Sequence, residues 1–150
     1  MALTMLDKAA EKKDKSPWPA DIAAEFERES KNPNPCVGTE LLSENERTRV
    51  WIIRLAPGER VGFHRHVLDY FWTSVNGGRG RQHVHDGSTV EYTYQPGETR
   101  HESYGKGECK VHDLENIGDK DMIFMTVEFK NSANQPMPLP AGVQPQAAAA

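Results

Sequence analysis

Between residues 48 and 129 the chain breaks into short runs rich in β-branched and aromatic residues. They read TRVWIIRL, ERVGFHRH, DYFWTSV, GRQHVH, STVEYTYQ, TRHESY, CKVHDLENI and DMIFMTVEF. Turn residues separate them at intervals of about 8 to 12 positions, among them Pro57-Gly58, Asn76-Gly77-Gly78, Asp86-Gly87, Pro96-Gly97, Gly105-Lys106-Gly107 and Gly118-Asp119. About eight strands with no long helical pattern between them predict an all-β jelly roll and speak against a βαβ architecture. Trp51, Ile53 and Leu55 alternate with Val50, Ile52 and Arg54, and Met122, Phe124 and Thr126 with Ile123, Met125 and Val127. Apolar residues on both faces of a strand require cover on both, which a small sandwich obtains most simply from a second copy, so a homodimer is expected.

The ends read differently. Eight of the ten prolines lie outside residues 50–130. The opening ALTMLDKAAEKKDKS shows little periodicity and reads as a solvated helix or disorder. PADIAAEFERES, 19–30, places Ile22, Ala23 and Phe26 on one helical face and stops at KNPNP. NQPMPLPAGVQPQAAAA has the proline spacing of an extended or disordered strap that lies across the domain or a neighbour. The expected division is an N-terminal extension with one short helix at 1–36, a single β-domain at 37–131 and a tail at 132–150.

Composition narrows the partners. Eighteen Lys plus Arg against 22 Asp plus Glu give a net charge of −4, which offers nucleic acid or an anionic membrane surface no attraction. A small molecule or another copy of the chain remains as partner. No apolar run approaches the roughly 18–20 residues that span a bilayer, so a soluble, cytoplasmic protein is expected. Cys36 and Cys109 have neither disulfide-framework nor zinc-ribbon spacing. All six histidines fall between positions 64 and 112, which is where metal or proton chemistry would sit.

His64 and His66 stand two apart and project from one face of a strand. Two imidazoles do not close a stable metal site, so a third ligand must come from another segment. His83 and His85 form a second such pair beside the Asp86-Gly87 turn, read as strand-face histidines near an oligomer contact. His101, in TRHESY with Arg100 and Glu102 on the opposite parity, is read as a pocket-lining acid or base or as an ordinary hydrogen-bonded histidine. Arg79 and Arg81 share a face, as a substrate-carboxylate site or an exposed basic edge.

Gly58, His64, His66, Tyr70 and Gly77 resemble the first motif of the cupin superfamily, G-x5-H-x-H-x3-E-x6-G, at every position except the acid, where Tyr70 stands. His112 and Asn116 resemble the H-x3-N ending of the second motif, although Gly107 and Cys109 replace its proline and glycine. The resemblance covers residues 40–130, and VWIIRLAPGERVGFHRHVLDY is similar to the small single-domain cupins linked with bacterial β-alanine degradation. It implies a double-stranded β-helix, or jelly-roll barrel, with the short N-terminal helical extension. It also implies a divalent metal, iron(II) first and otherwise manganese, nickel or zinc, held by His64, His66 and His112.

The missing carboxylate has a physical consequence. Three neutral imidazoles leave a divalent ion near +2, a stronger Lewis acid than a site containing a carboxylate, and favour small anionic bidentate substrates. The expected function is a non-haem iron(II) dioxygenase of a small anionic metabolite, with Tyr70 and His101 orienting substrate or oxygen. A non-oxidative metal-dependent lyase or isomerase and a non-catalytic ligand-binding cupin are the alternatives. Tyr70 is open between a phenolate ligand, a hydrogen-bond donor and an aromatic wall, the last two preferred. Asp69 is the rival acid if a bulge turns it inward.

Overall fold

The computed structural model describes residues 9–145. Two five-stranded antiparallel sheets face each other. In chain order the elements are β1 Lys12–Asp14, α1 Ala20–Lys31, β2 Glu40–Glu44, β3 Thr48–Leu55, β4 Arg60–His66, β5 Tyr70–Ser74, β6 Gly78–His83, β7 Thr89–Tyr94, β8 Thr99–Glu102, β9 Lys110–Asn116 and β10 Met122–Phe129. One sheet has the order β1-β7-β6-β9-β4 and the other β2-β3-β10-β5-β8. All eight runs singled out in the sequence are strands. No helix among the described residues is long and apolar enough to cross a membrane.

Inward alternation builds the core. Met122, Phe124, Thr126 and Glu128 of β10 are buried, as are Trp51, Ile53 and Leu55 of β3. Ile53, Leu55, Tyr94, Leu114, Met122 and Phe124 fill one end of the sandwich, and Val37, Leu41 and Trp51 the other. Gly77 turns β5 into β6 at φ 75°, where a Cβ would lie 2.8 Å from the Tyr94 carbonyl, so this corner accepts only glycine.

Two expectations change, and a third, the strap, is found across this domain. The sheets are not hydrogen-bonded into a closed barrel: the free edge of β4 is taken instead by Asn34, whose carbonyl accepts from Arg65 N–H and whose side-chain amide donates to the Phe63 carbonyl. Part of the opening segment is neither helix nor disorder, because Lys12–Asp14 pairs antiparallel with Thr89–Glu91 at the sheet edge. The tail up to residue 145 crosses the domain, with Leu139 and Val143 packed on Val37, Leu41 and Trp51 and the Met137 carbonyl accepting from Arg49. The rest of it, 146–150, lies outside the described residues.

Helix α1 covers the outer face of the first sheet, and it is held by acids as much as by Phe26. The Glu25 carboxylate takes two bonds from Arg60 and one from Phe63 N–H, while Glu29 takes Arg65 and Asn34 N–H. Ala23, assigned to the packed face by the sequence, is exposed. Phe26, Trp18 and Phe63 close the remaining space with ring centroids 5.3–5.5 Å apart.

Candidate metal centre

A β-bulge aims the histidines. Val61 pairs with Leu114 and His64 with His112, so β4 advances three residues where β9 advances two. The extra residue shifts the parity of β4, leaving Val61, His64 and His66 all directed inward. Gly62 in the bulge lets the Glu25 carboxylate approach to within 3.1 Å of where a Cβ would stand, and its carbonyl turns toward His64. His112 faces His64 directly across the ladder. Each of the three rings offers one nitrogen to a group whose members all lie within 4.8 Å of one another, and all three residues are buried.

The hydrogen bonds set the tautomers. His64 Nδ1 donates to the Gly62 carbonyl at 2.9 Å, and His112 Nδ1 donates to Gln82 Oε1 at 2.7 Å. Carbonyl oxygens only accept, so both Nε2 atoms carry lone pairs. Gln82 is itself held by donating to the Tyr94 hydroxyl at 3.0 Å. His66 Nε2 lies 3.1 Å from His112 Nε2, while His66 Nδ1 is buried without a partner. Burial pushes the His64 imidazole below its ordinary value and those of His66 and His112 well below, with Lys110 adding to the effect on all three. All three are therefore neutral at pH 7, as metal ligation requires.

These residues fit a metal ion. Two imidazole nitrogens bound to one ion at about 2.0–2.1 Å with tetrahedral or octahedral angles stand roughly 2.9–3.4 Å apart. The 3.1 Å separation of the His66 and His112 nitrogens falls in that interval. Without a cation, His112 presents its lone pair to His66, which either opposes it with another or spends its only proton there and leaves Nδ1 bare.

Tyr70, in the usual position of the acid, is buried and stacks on His66 at 4.1 Å between centroids and 12° between planes. Burial, followed by neighbouring Tyr104 and Glu102, raises its phenol well above the ordinary range, so Tyr70 stands beside His66 as a neutral phenol. Asp69 does not turn inward; its carboxylate accepts from Tyr104 N–H. His101 does not join the cluster. It pairs in register with Phe71 on the outer face, exposed, with the rings 5.4 Å apart, and reaches only the rim of the mouth. Arg100 and Glu102, on the other parity, line the mouth.

His83 and His85 form no second centre. His83 lies on the outer face, where Nδ1 donates to the fully buried Asp113 at 2.7 Å, and His85 Nδ1 accepts from Val111 N–H. Arg79 and Arg81 form ion pairs with Glu91 there. Gln82 and Tyr94 were invisible as site residues in the sequence, because their role arises only from β6–β7–β9 adjacency. Asn116 closes the turn after β9, donating to the Leu55 and Lys120 carbonyls and accepting from Gly118 N–H.

Two connected spaces open on the centre. The inner chamber, about 40 Å³, is walled by the three histidines and by Ile53, Leu114, Phe124 and other largely apolar groups. The outer vestibule, about 420 Å³, shares His112, Tyr70, Trp72, Gln82 and Tyr94 with the chamber.

No family model and no curated protein matches the sequence. Among solved structures, a cupin domain from Bordetella pertussis is similar at 27% identity and a TM-score of 0.53, over 60% of this chain and 88% of that one. A Klebsiella pneumoniae protein with a double-stranded β-helix domain shows 21% identity and a TM-score of 0.49, over 70% and 89% of the two chains. A cupin-family protein from Methanocaldococcus jannaschii shows 18% and 0.49, over 60% and 76%. None of these neighbours speaks for the narrower β-alanine-linked group. The fold of this chain is the cupin double-stranded β-helix.

Proposed function

We propose that the protein is a metal-dependent dioxygenase of a small anionic metabolite, with iron(II) held by His64, His66 and His112. The 3.1 Å approach of the His66 and His112 Nε2 atoms, in rings that burial keeps neutral and with His66 Nδ1 left without a partner, supports the metal on which this reading rests. When bound, the ion would supply Lewis acidity and one-electron chemistry, with open positions for a chelating substrate.

The chain's own groups do the rest. Gln82 and the Gly62 carbonyl fix which imidazole nitrogens are free, and Tyr70 holds the plane of His66. The inner chamber has room for a diatomic co-substrate such as dioxygen beside the imidazoles, with Ile53, Leu114 and Phe124 as its apolar side. Apart from the three imidazoles, the groups lining that chamber include none that exchanges protons near neutrality: burial raises both the Tyr70 and Tyr94 phenols, and Gln82 and Thr126 do not titrate. Proton transfer by an isomerase or lyase would fall to Glu102 or His101 in the vestibule, whereas oxygenation asks for no acid or base inside the chamber.

The test is oxygen uptake by iron(II)-reconstituted protein across thiol carboxylates and β-diketones. Uptake stoichiometric with substrate loss, abolished in His112→Ala, is expected. Turnover with zinc or nickel under anaerobic conditions would overturn the oxygenase reading in favour of a lyase or isomerase.

A further inference from the structure

The vestibule carries charge that the histidine centre does not explain. Arg100 comes from β8 and Lys110 from β9, so the two cations approach the mouth from opposite sheets. Arg100 pairs in register with Trp72, which lines both spaces, and Lys110 pairs with His66 two positions before His112. Neither is tightly engaged. The Arg100 Nε is buried without a hydrogen bond, its nearest carboxylate being Glu98 at 3.5 Å, and Lys110 has no ion pair among the described residues.

The other fixed charges of this wall are Lys13, on the edge strand β1, and the carboxylates of Asp86 and Glu102. The Asp86 carboxylate takes the hydroxyl and N–H of Ser88. Glu102 is opposite Tyr70 in the register and acts electrostatically on Tyr70 and Tyr104. A cation with unused donors in a cavity whose walls exclude part of the solvent attracts an anion more strongly than one on an open surface.

We infer that Arg100 and Lys110 form an anion clamp across the vestibule, and that the substrate is a small acid with two anionic ends. One end chelates the ion at the three histidines, and the other is a carboxylate held between the two cations. This deepens the proposed function and rests on it for the inner end only, because the clamp needs no metal. Its consequence is selectivity: a monoanion of the same length keeps the chelating contact and loses the clamp.

The experiment separates the two claims. Protein loaded with cobalt(II) is titrated with malonate, succinate, glutarate and adipate, and with acetate, propionate and butyrate, by calorimetry. At least one diacid is expected to bind about tenfold or more tighter than the monoacids. Arg100→Gln and Lys110→Gln should each remove roughly that factor while cobalt stoichiometry and monoacid affinity stay within about twofold. Metal-free protein is titrated with the same diacids, read on the Trp72 indole resonance by NMR, with a shift in the wild type that both variants lose. Equal diacid and monoacid affinities, or a diacid preference that survives both substitutions, would overturn the clamp. No cobalt uptake by the wild type would overturn the metal centre and leave the metal-free titration to decide the clamp.

Discussion

Gln82→Leu tests the organisation of the centre without touching a ligand. Leucine has nearly the volume of glutamine, so packing changes little, but the 2.7 Å bond from His112 Nδ1 and the 3.0 Å bond to the Tyr94 hydroxyl both disappear. A bare buried Nδ1–H costs about 1–3 kcal/mol. His112 escapes most of that cost by moving its proton to Nε2 and donating across the 3.1 Å gap to His66. Folding stability therefore falls only modestly, while metal binding must first undo the new bond and restore the tautomer. Loss of such an outer hydrogen bond lowers metal affinity by about 10- to 100-fold, or roughly 1.4–2.7 kcal/mol. Competition against a chromophoric chelator, with zinc or cobalt, measures the affinity, and urea unfolding of the metal-free variants measures stability. Gln82→Glu, which keeps an acceptor toward Nδ1, should recover most of the affinity. Affinity within twofold of wild type in Gln82→Leu would refute the claim that this amide selects the metal-binding nitrogen.

Other outcomes follow from the packing. Arg60→Ala removes a 2.7 Å charged partner from the fully buried Asp113, which keeps its bonds from His83, and unties Glu25 of α1; the loss should cost about 1.5–3 kcal/mol in chemical denaturation, against under 1 kcal/mol for the exposed Arg54→Ala. Burial raises the Glu128 carboxyl to about 7 despite the bond from Trp51, so this group favours the folded state at low pH and loses that contribution as pH rises from about 4.5 through 7. Glu128→Gln should thus gain about 3 kcal/mol relative to wild type between pH 4.5 and 8 in urea titrations, and an unchanged difference would contradict the assignment. The outer face of β3, β5 and β10 carries Val50, Phe71, Ile123, Met125, Val127 and the 37% exposed Phe129, on which we place a second copy of the chain. Met125→Arg should convert a dimer to a monomer by light scattering, and a monomeric wild type would exclude that pairing.

The sequence made eight strands legible, most of them because they carry apolar or aromatic side chains between turn residues, and the polar β6 and β8 through the turns that bracket them. It missed β1 and β2 for different reasons. Lys12–Asp14 has only exposed polar side chains and is a strand solely through its backbone ladder to β7, while Glu40–Glu44 is short and its pairing with β3 is broken by a bulge. The three clustered histidines were legible through spacing and through a second motif that placed the third on another strand. The bulge that turns His64 and His66 inward was not, since it depends on β4 being paired with β9. His101 and Arg100 show the limit of parity reasoning. Alternation told that they face opposite ways, but only the register with β5 tells which of them faces the cavity. The acids of α1 were hidden likewise, because their partners Arg60 and Arg65 lie 35 and 36 residues downstream.

The most direct test of the account is an anomalous-scattering map from crystals of the protein loaded with iron(II) or cobalt(II). The account predicts one ion, about 2.0–2.2 Å from the Nε2 atoms of His64, His66 and His112, beside Tyr70 and open toward the vestibule. A map with no peak among these three rings, or with the ion on His83 or His85 instead, would contradict it.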